Sequence, residues 1–250
     1  MNSIIIGSQK SRPTAQKIAK GLNADYSENY MTREKQYTLI FRYGNSYLNL
    51  PNRAENCKII NSALSIEQVA NKPMARNRLI QNGISAPTVY LSGDLDTAKF
   101  PLLARPIHHY RGRNFYIINT IQKAKEFLDR GFYIQEFINK KEEYRIFLLN
   151  GRFFEVCKKT NTGNVINTEI RNHGTGWYFQ WIPYQSLDER LLKYCRGIYP
   201  IFDINFCAID CCLDIDNKPF IFEINSAPAL IDRKITKLCQ KIKELYGDYL

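Results

Sequence analysis

The chain has 250 residues, 44% of them hydrophobic, and a formal net charge of +11. That length suits one large domain or two small ones, and that apolar fraction excludes a disordered chain. No run of about 18 apolar residues occurs, which excludes a membrane-spanning helix.

The opening MNSIIIGSQK lacks a basic stretch followed by a long apolar one, so it reads as a first strand and not as a signal peptide. The 7 cysteines (Cys57, Cys157, Cys195, Cys207, Cys211, Cys212 and Cys239) form no CxxC pair. They argue against zinc and predict free thiols in a reducing, cytoplasmic setting. The basic residues are scattered with no dense run, which favours a solvated basic surface or an anionic small substrate over a nucleic-acid tract.

Taken in order, residues 3–6 predict a short apolar strand ending at Gly7. A helix is expected over 11–21, capped by Ser11 and closed by Gly21, with Ala15, Ile18 and Leu22 on one face. Residues 37–43 predict a second strand. Ser65 and Gln68 read as a capping box for a helix over 65–70, and Pro73 suits the first turn of a second helix that runs to Asn82 and ends at Gly83. Strands are expected over 88–91, 101–105 and 115–118, the last two separated by the basic loop HHYRGRN. A helix over 120–130 and a strand over 132–138 follow.

Residues 143–149 and 152–159 predict a hairpin around Asn150-Gly151, the strongest short turn signal. A two-residue turn sets Arg145 opposite Val156 and Glu143 opposite Lys158, so that Glu143, Arg145 and Lys158 share a face. Two readings stand: a salt-bridged solvent face, or the lining of a charged-ligand site. Residues 161–177 read as a loop, 186–199 as a helix capped by Ser186, and the last helix as one capped by Asp232 with Ile235, Leu238, Ile242 and Leu245 inward.

The most informative stretch is FCAIDCCLDIDNKPFIFEIN, residues 206–225. Two apolar runs flank Asp214-Ile215-Asp216-Asn217, the pattern of a hairpin. A turn at Asp216-Asn217 sets Leu213 opposite Phe220 and Asp210 opposite Glu223, with Glu223 and Asn225 on one face. Two carboxylates that close in an apolar sheet repel unless a cation joins them, and two carboxylates with an amide oxygen suit Mg²⁺. A hairpin whose acids point to solvent is the equal alternative.

Several of these pieces, in this order, resemble the ATP-grasp ligases, and among them the RimK-like ribosomal-protein glutamate ligase group. The resemblance covers residues 69–230. AID at 208–210 with FEINSAPAL at 222–230 is similar to the family's metal strands, which implies Asp210, Glu223 and Asn225 as ligands of Mg²⁺ or Mn²⁺. YIQEFI at 133–138 resembles the segment joining the halves of the nucleotide cleft, and implies that Gln135, Glu136, Phe137 and Ile138 line the adenine site. NKPMARNRLIQNGISAPTV resembles the entry helix, with Lys72 at a nucleotide-contacting position. EEYRIFLLNGRFFEV resembles the strand pair in which Glu143 contacts ribose and Arg145 the phosphates or acyl group; Lys158 and Lys159 are counted with the nucleotide residues. Arg171, Asn172 and His173 fall where the family has its substrate loop.

Two departures stand out. Arg105 occupies the position of a family lysine before proline, where it keeps the charge and adds a planar fork. The phosphate-covering loop, elsewhere rich in glycine, here holds His109, Arg111 and Gly112 among its residues.

The resemblance implies an α/β (α+β) chain with the ATP-grasp fold: a pre-ATP-grasp domain over 1–70 and an ATP-grasp domain over 71–250, in which 86–134 form a lid and 135–250 carry the metal site. It implies an enzyme that joins a small carboxylate to an amine, such as an amino acid or peptide, through an acylphosphate, releasing ADP and phosphate. Arg145 and Arg171 are its expected catalytic residues. An ATP-binding module without ligase activity, and a kinase acting on a phosphorylated or hydroxyl acceptor, are the alternatives. Nucleic acid is the least supported partner.

Overall fold

A computed structural model describes residues 2–28, 35–46, 53–106, 115–161, 163, 168, 169, 171 and 173–250. The first of its three sheets is parallel, with β1 (Ser3–Gly7) and β3 (Tyr37–Tyr43) at the centre, and β2 (Asp25–Ser27) and β4 (Arg53–Ile60) outside, in the order β2-β1-β3-β4. β1 is buried throughout, with three consecutive isoleucines, because both its faces are covered. Ile5 enters a core shared with α1 (Arg12–Leu22) and α6 (Asp232–Tyr246), while Ile4 and Ile6 pack with Tyr37 and Ile40 on the other side. β2 and β4 escaped the sequence reading: one is 3 residues long, and the other is half exposed and mixes charges with apolar residues.

α1 does not close at Gly21. Asn23, at a left-handed φ of 54°, ends it. Gly21 stays helical, and a Cβ there would stand 2.7 Å from Cys239 Sγ on α6. α6 buries Ile235, Leu238 and Ile242 as its spacing predicts, but Leu245 is on the exposed side. Asp232 opens α6 without a capping hydrogen bond and instead pairs with Lys17 at 2.6 Å.

α2 (Ala63–Ala70) is capped by Ser62, whose Oγ accepts the Ser65 amide at 3.0 Å, so the cap lies three residues before the expected one. Asn71 caps α3 (Lys72–Gln81), with Pro73 in its first turn. The second sheet is small and antiparallel. It comprises β5 (Val89–Tyr90), β6 (Leu102–Pro106), β7 (Tyr116–Ile118) and β8 (Phe132–Glu136), in the order β5-β8-β6-β7. α4 (Ile121–Asp129) closes one face of it with Ala124 and Phe127 against Leu102, Ala104, Ile118 and Ile134.

The third sheet is antiparallel, with β9 (Lys140–Leu149), β10 (Arg152–Asn161), β11 (Trp177–Trp181), β12 (Phe206–Asp214) and β13 (Pro219–Asn225) in the order β11-β10-β9-β12-β13. One face, with Tyr144, Ile146, Leu148, Cys207 and Ile209, packs on Leu191, Leu192, Cys195 and Ile198 of α5 (Glu189–Phe202) and on Leu79 of α3. α5 is capped by Asp188, not Ser186, which belongs to a separate 3₁₀ turn.

The opposite face of this sheet is divided along its length. Phe147, Leu149, Phe206 and Ala208 enter the core of the first sheet. Glu143 and Arg145 on β9, and Asp210 on β12, continue the same alternating rows beyond that core. The apolar half is therefore sealed, and the charged half is left for the site. Among the described residues, no helix is long and apolar enough to cross a membrane.

Candidate active site

Two hairpins set which side chains reach the charged half of the sheet. Between β9 and β10 the turn is as expected, with Asn150 at φ 49° and Gly151 at φ 72°, and Leu149 opposite Arg152. A bulge between Phe153 and Glu155 then shifts the register by one residue. Arg145 comes to lie opposite Cys157, not Val156, and Lys158 opposite Tyr144. Because one extra residue reverses which face a side chain occupies, the expected grouping of Glu143, Arg145 and Lys158 fails. Lys158 pairs with Glu142, and Lys159 is the lysine that reaches Glu143.

Between β12 and β13 two departures cancel. The turn is longer than the expected two residues: the Asp214 amide donates to the Lys218 carbonyl at 3.0 Å, and Asn217 takes a φ of 59°. Near the turn Leu213 therefore faces Pro219, and Cys212 faces Phe220. A bulge then leaves Phe222 with no residue opposite it and restores the register, so that Asp210 faces Glu223 and Ala208 faces Asn225. The expected opposition of the two carboxylates holds, by a different route.

Each carboxylate is matched by a cation. Arg145 donates to Asp210 through Nε at 2.6 Å and Nη2 at 2.7 Å, and Asn225 Nδ2 donates to Asp210 Oδ2 at 3.3 Å. Burial pushes the Asp210 carboxyl up, but Arg145 beside it outweighs burial and holds it below the usual carboxylate range. The same pair raises the Arg145 guanidinium against the cost of its own burial. Lys72 Nζ lies 3.2 Å from Glu223. Glu143 receives Lys140 at 2.8 Å and also Lys159, and burial lowers the Lys140 ammonium despite Glu143.

Arg105, on β6, differs from these. Its Nε is buried and has no hydrogen-bond partner among the described residues, and burial lowers its guanidinium. An unpaired buried donor is costly, and here it belongs to a cation beside Glu223 and Glu143. Arg171 lies 4.6 Å from the Trp177 ring and donates to the Lys140 carbonyl at 2.6 Å, so it is tied to the start of β9.

At the end of β8 Glu136 exchanges two hydrogen bonds with Thr88, and in the segment after it Phe137 is half-buried and Ile138 is buried with Cys212 and Phe220. Gln135 accepts from Arg76. His109, Arg111, Gly112 and Asn172 lie outside the described residues, and His173 opens a 3₁₀ turn.

The donor set fits a divalent cation. Asp210 and Glu223 stand opposite each other with the amide of Asn225 on the same face, and all three supply hard oxygens. Among the described residues no three His, Cys, Asp or Glu side chains converge, so a third protein donor would be that amide.

No family model and no curated protein sequence matches the chain. Solved structures do. The ATP-grasp ligase PsnB, complexed with a minimal precursor, superposes with a TM-score of 0.70 at 10% identity, over 98% of this chain and 99% of that one. The macrocyclase MdnC from Microcystis aeruginosa MRC, bound with precursor peptide MdnA, gives 0.67 at 13% identity over 99% and 100%. D-alanine–D-alanine ligase from Bacillus anthracis, complexed with ATP, gives 0.66 at 15% identity over 98% and 91%. The chain has the ATP-grasp fold.

In this chain three residues near the charged face escaped the sequence reading. Lys140 was hidden because it precedes the expected strand. Phe179, 4.9 Å from the Arg145 guanidinium and 5.6 Å from Lys159 Nζ, lies on a strand in a stretch that the sequence reading left unassigned. Arg76 lies one helical turn after Lys72, a spacing that places both on one side of α3 and was the available signal.

Proposed function

We propose that this protein is an ATP-dependent carboxylate–amine ligase of the RimK-like group. The observation that carries the reading is the opposition of Asp210 and Glu223 with Asn225 on the same face, ringed by Arg145, Lys72, Lys159 and Arg105. One of the similar structures, PsnB, holds Mg and ADP as well as a precursor, which supports the same cofactors here. The division into a pre-ATP-grasp domain at 1–70, a lid at 86–134 and a metal-bearing part at 135–250 belongs to this proposal, as does a cytoplasmic setting.

Asp210, Glu223 and Asn225 would hold the ion, which would offset charge on the phosphate oxygens. An acceptor carboxylate oxygen attacks the γ-phosphorus, the bond to the β-phosphate oxygen breaks, and ADP leaves. An amine then attacks the acyl carbon and loses a proton, and the C–O bond breaks to release phosphate. With Asp210 engaged as a ligand of Mg²⁺, Arg145 would be free to bind the transferring phosphoryl group. Arg105 gives its unpaired Nε–H to a phosphate oxygen. Arg171 orients the acceptor, and the loop at 108–114, which lies outside the described residues, would cover ATP and exclude water that would otherwise hydrolyse the acylphosphate. No side-chain nucleophile is needed, and six of the seven cysteines are buried free thiols.

The test is mass spectrometry of products formed from ATP, Mg²⁺ and a pool of amino acids and peptides. Amide product with ADP, dependent on both an acid and an amine, is the expected result. A phosphorylated product without an amide would make the protein a kinase, and ATP binding with no product would make it a binding module. Full turnover by Glu223→Gln would remove the metal assignment.

A further inference from the structure

The bulge at Phe222 decides the site, and something must hold it. In a strand that alternates faces, the longer turn at residues 214–218 would by itself carry every later residue of β13 to the wrong side. Glu223 and Asn225 would then point toward α5, into an apolar core. The single unpaired residue, Phe222, reverses this. A bulge leaves backbone groups outside the ladder, and those groups need partners.

The Phe222 carbonyl finds its partner in Arg76 of α3. Arg76 Nε donates to it at 3.2 Å and Nη2 at 3.0 Å. The other edge of the same guanidinium is also committed: Nη1 donates to Gln135 Oε1 and, at 3.3 Å, to the Tyr133 hydroxyl, both on β8. Arg76 is only 2% exposed and Gln135 3%. One planar, buried fork thus spans α3, the second sheet and the bulge of the third. A lysine has one nitrogen and cannot fill all of these directions.

We infer that Arg76 is a positioning residue: by holding the Phe222 carbonyl it fixes the bulge that turns Glu223 and Asn225 toward Asp210. This rests on the metal reading above. Arg76 makes no contact with the ion or the nucleotide in this scheme and acts through the backbone. It also ties the geometry of Glu223 to the strand that carries Gln135, so that movement of the second sheet reaches the metal strands directly.

The experiment measures Mn²⁺ binding in the presence of ATP by electron paramagnetic resonance, with amide hydrogen exchange at Phe222 and Glu223 followed in parallel. Arg76→Met is expected to weaken Mn²⁺ binding about tenfold, the effect typical of residues that orient metal ligands, and to speed exchange at those two amides. Arg76→Lys is expected to recover only part of the loss. Ile18→Val, a core change on α1 where it packs on the first sheet, serves as a destabilised control that leaves Mn²⁺ binding alone. If Arg76→Met does not fold, Gln135→Leu, which frees the other edge of the fork, is expected to give the same signature at smaller size. Unchanged Mn²⁺ binding in Arg76→Met or Gln135→Leu, with Glu223→Gln abolishing it, overturns the inference and leaves the metal reading intact. A wild-type chain that binds no Mn²⁺ with ATP overturns both.

Discussion

Arg145 and Asp210 lie opposite each other on β9 and β12 and meet through two parallel hydrogen bonds of 2.6 and 2.7 Å. Both side chains are mostly buried, 22% and 14% exposed. Under the proposed function, a divalent ion would do for Asp210 what the guanidinium does here. Breaking such a buried pair from one side leaves an uncompensated charge and costs roughly 3–5 kcal/mol.

The pair gives stability a defined pH dependence. The folded Asp210 carboxyl is held below its ordinary value, so its contribution is present above the unfolded value of about 3.9 and is lost as pH falls through the folded one. Urea denaturation should therefore show wild type more stable than Asp210→Asn at neutral pH, with the gap closing below about pH 4. A gap that stays constant across the acid range would contradict the role of the pair.

Arg105 should behave in the opposite sense. Its buried Nε, unpaired among the described residues, is a cost to the protein without nucleotide, and under the proposed function it becomes an asset once a phosphate arrives. Arg105→Met is expected to leave the melting temperature of the nucleotide-free protein unchanged or higher. The same change should weaken ATP binding by about tenfold or more, the worth of a hydrogen bond to a charged group. Calorimetry on both proteins checks this, and a lower melting temperature with unaltered ATP affinity would refute it.

The bulge in β10 makes neighbouring lysines unequal. Lys159 reaches Glu143 inside the site, whereas Lys158 pairs with Glu142 on the other side of the sheet. ADP release should fall about a hundredfold in Lys159→Met, as for loss of a group that stabilises developing charge. Lys158→Met should stay near wild type. Equal losses in the two variants would mean that the register is wrong.

Gly21 tests the packing of α1 on α6. An alanine there meets Cys239 Sγ at 2.7 Å, and crowding of this kind costs roughly 1–3 kcal/mol. Gly21→Ala should be destabilised, while Gly21→Ala with Cys239→Ala should recover and gain up to about 1 kcal/mol of helix propensity over Cys239→Ala alone. Additive effects in a double-mutant cycle would remove this account of the glycine.

The residue order alone determined the helices and strands with strong periodicity and the Asn150-Gly151 turn. These depend on local backbone preference and on alternation over a few residues, which a linear reading captures. Gly21 shows the limit: its type predicts a helix end, but its reason is a contact with Cys239, 218 positions away. The two bulges show it more sharply. Whether a strand admits an extra residue depends on what will satisfy the freed backbone and bury the displaced side chain, as Arg76 does for Phe222. Those partners come from distant segments, so only the assembled sheets decided that Lys159 enters the site, that Lys158 leaves it, and that Glu223 arrives opposite Asp210.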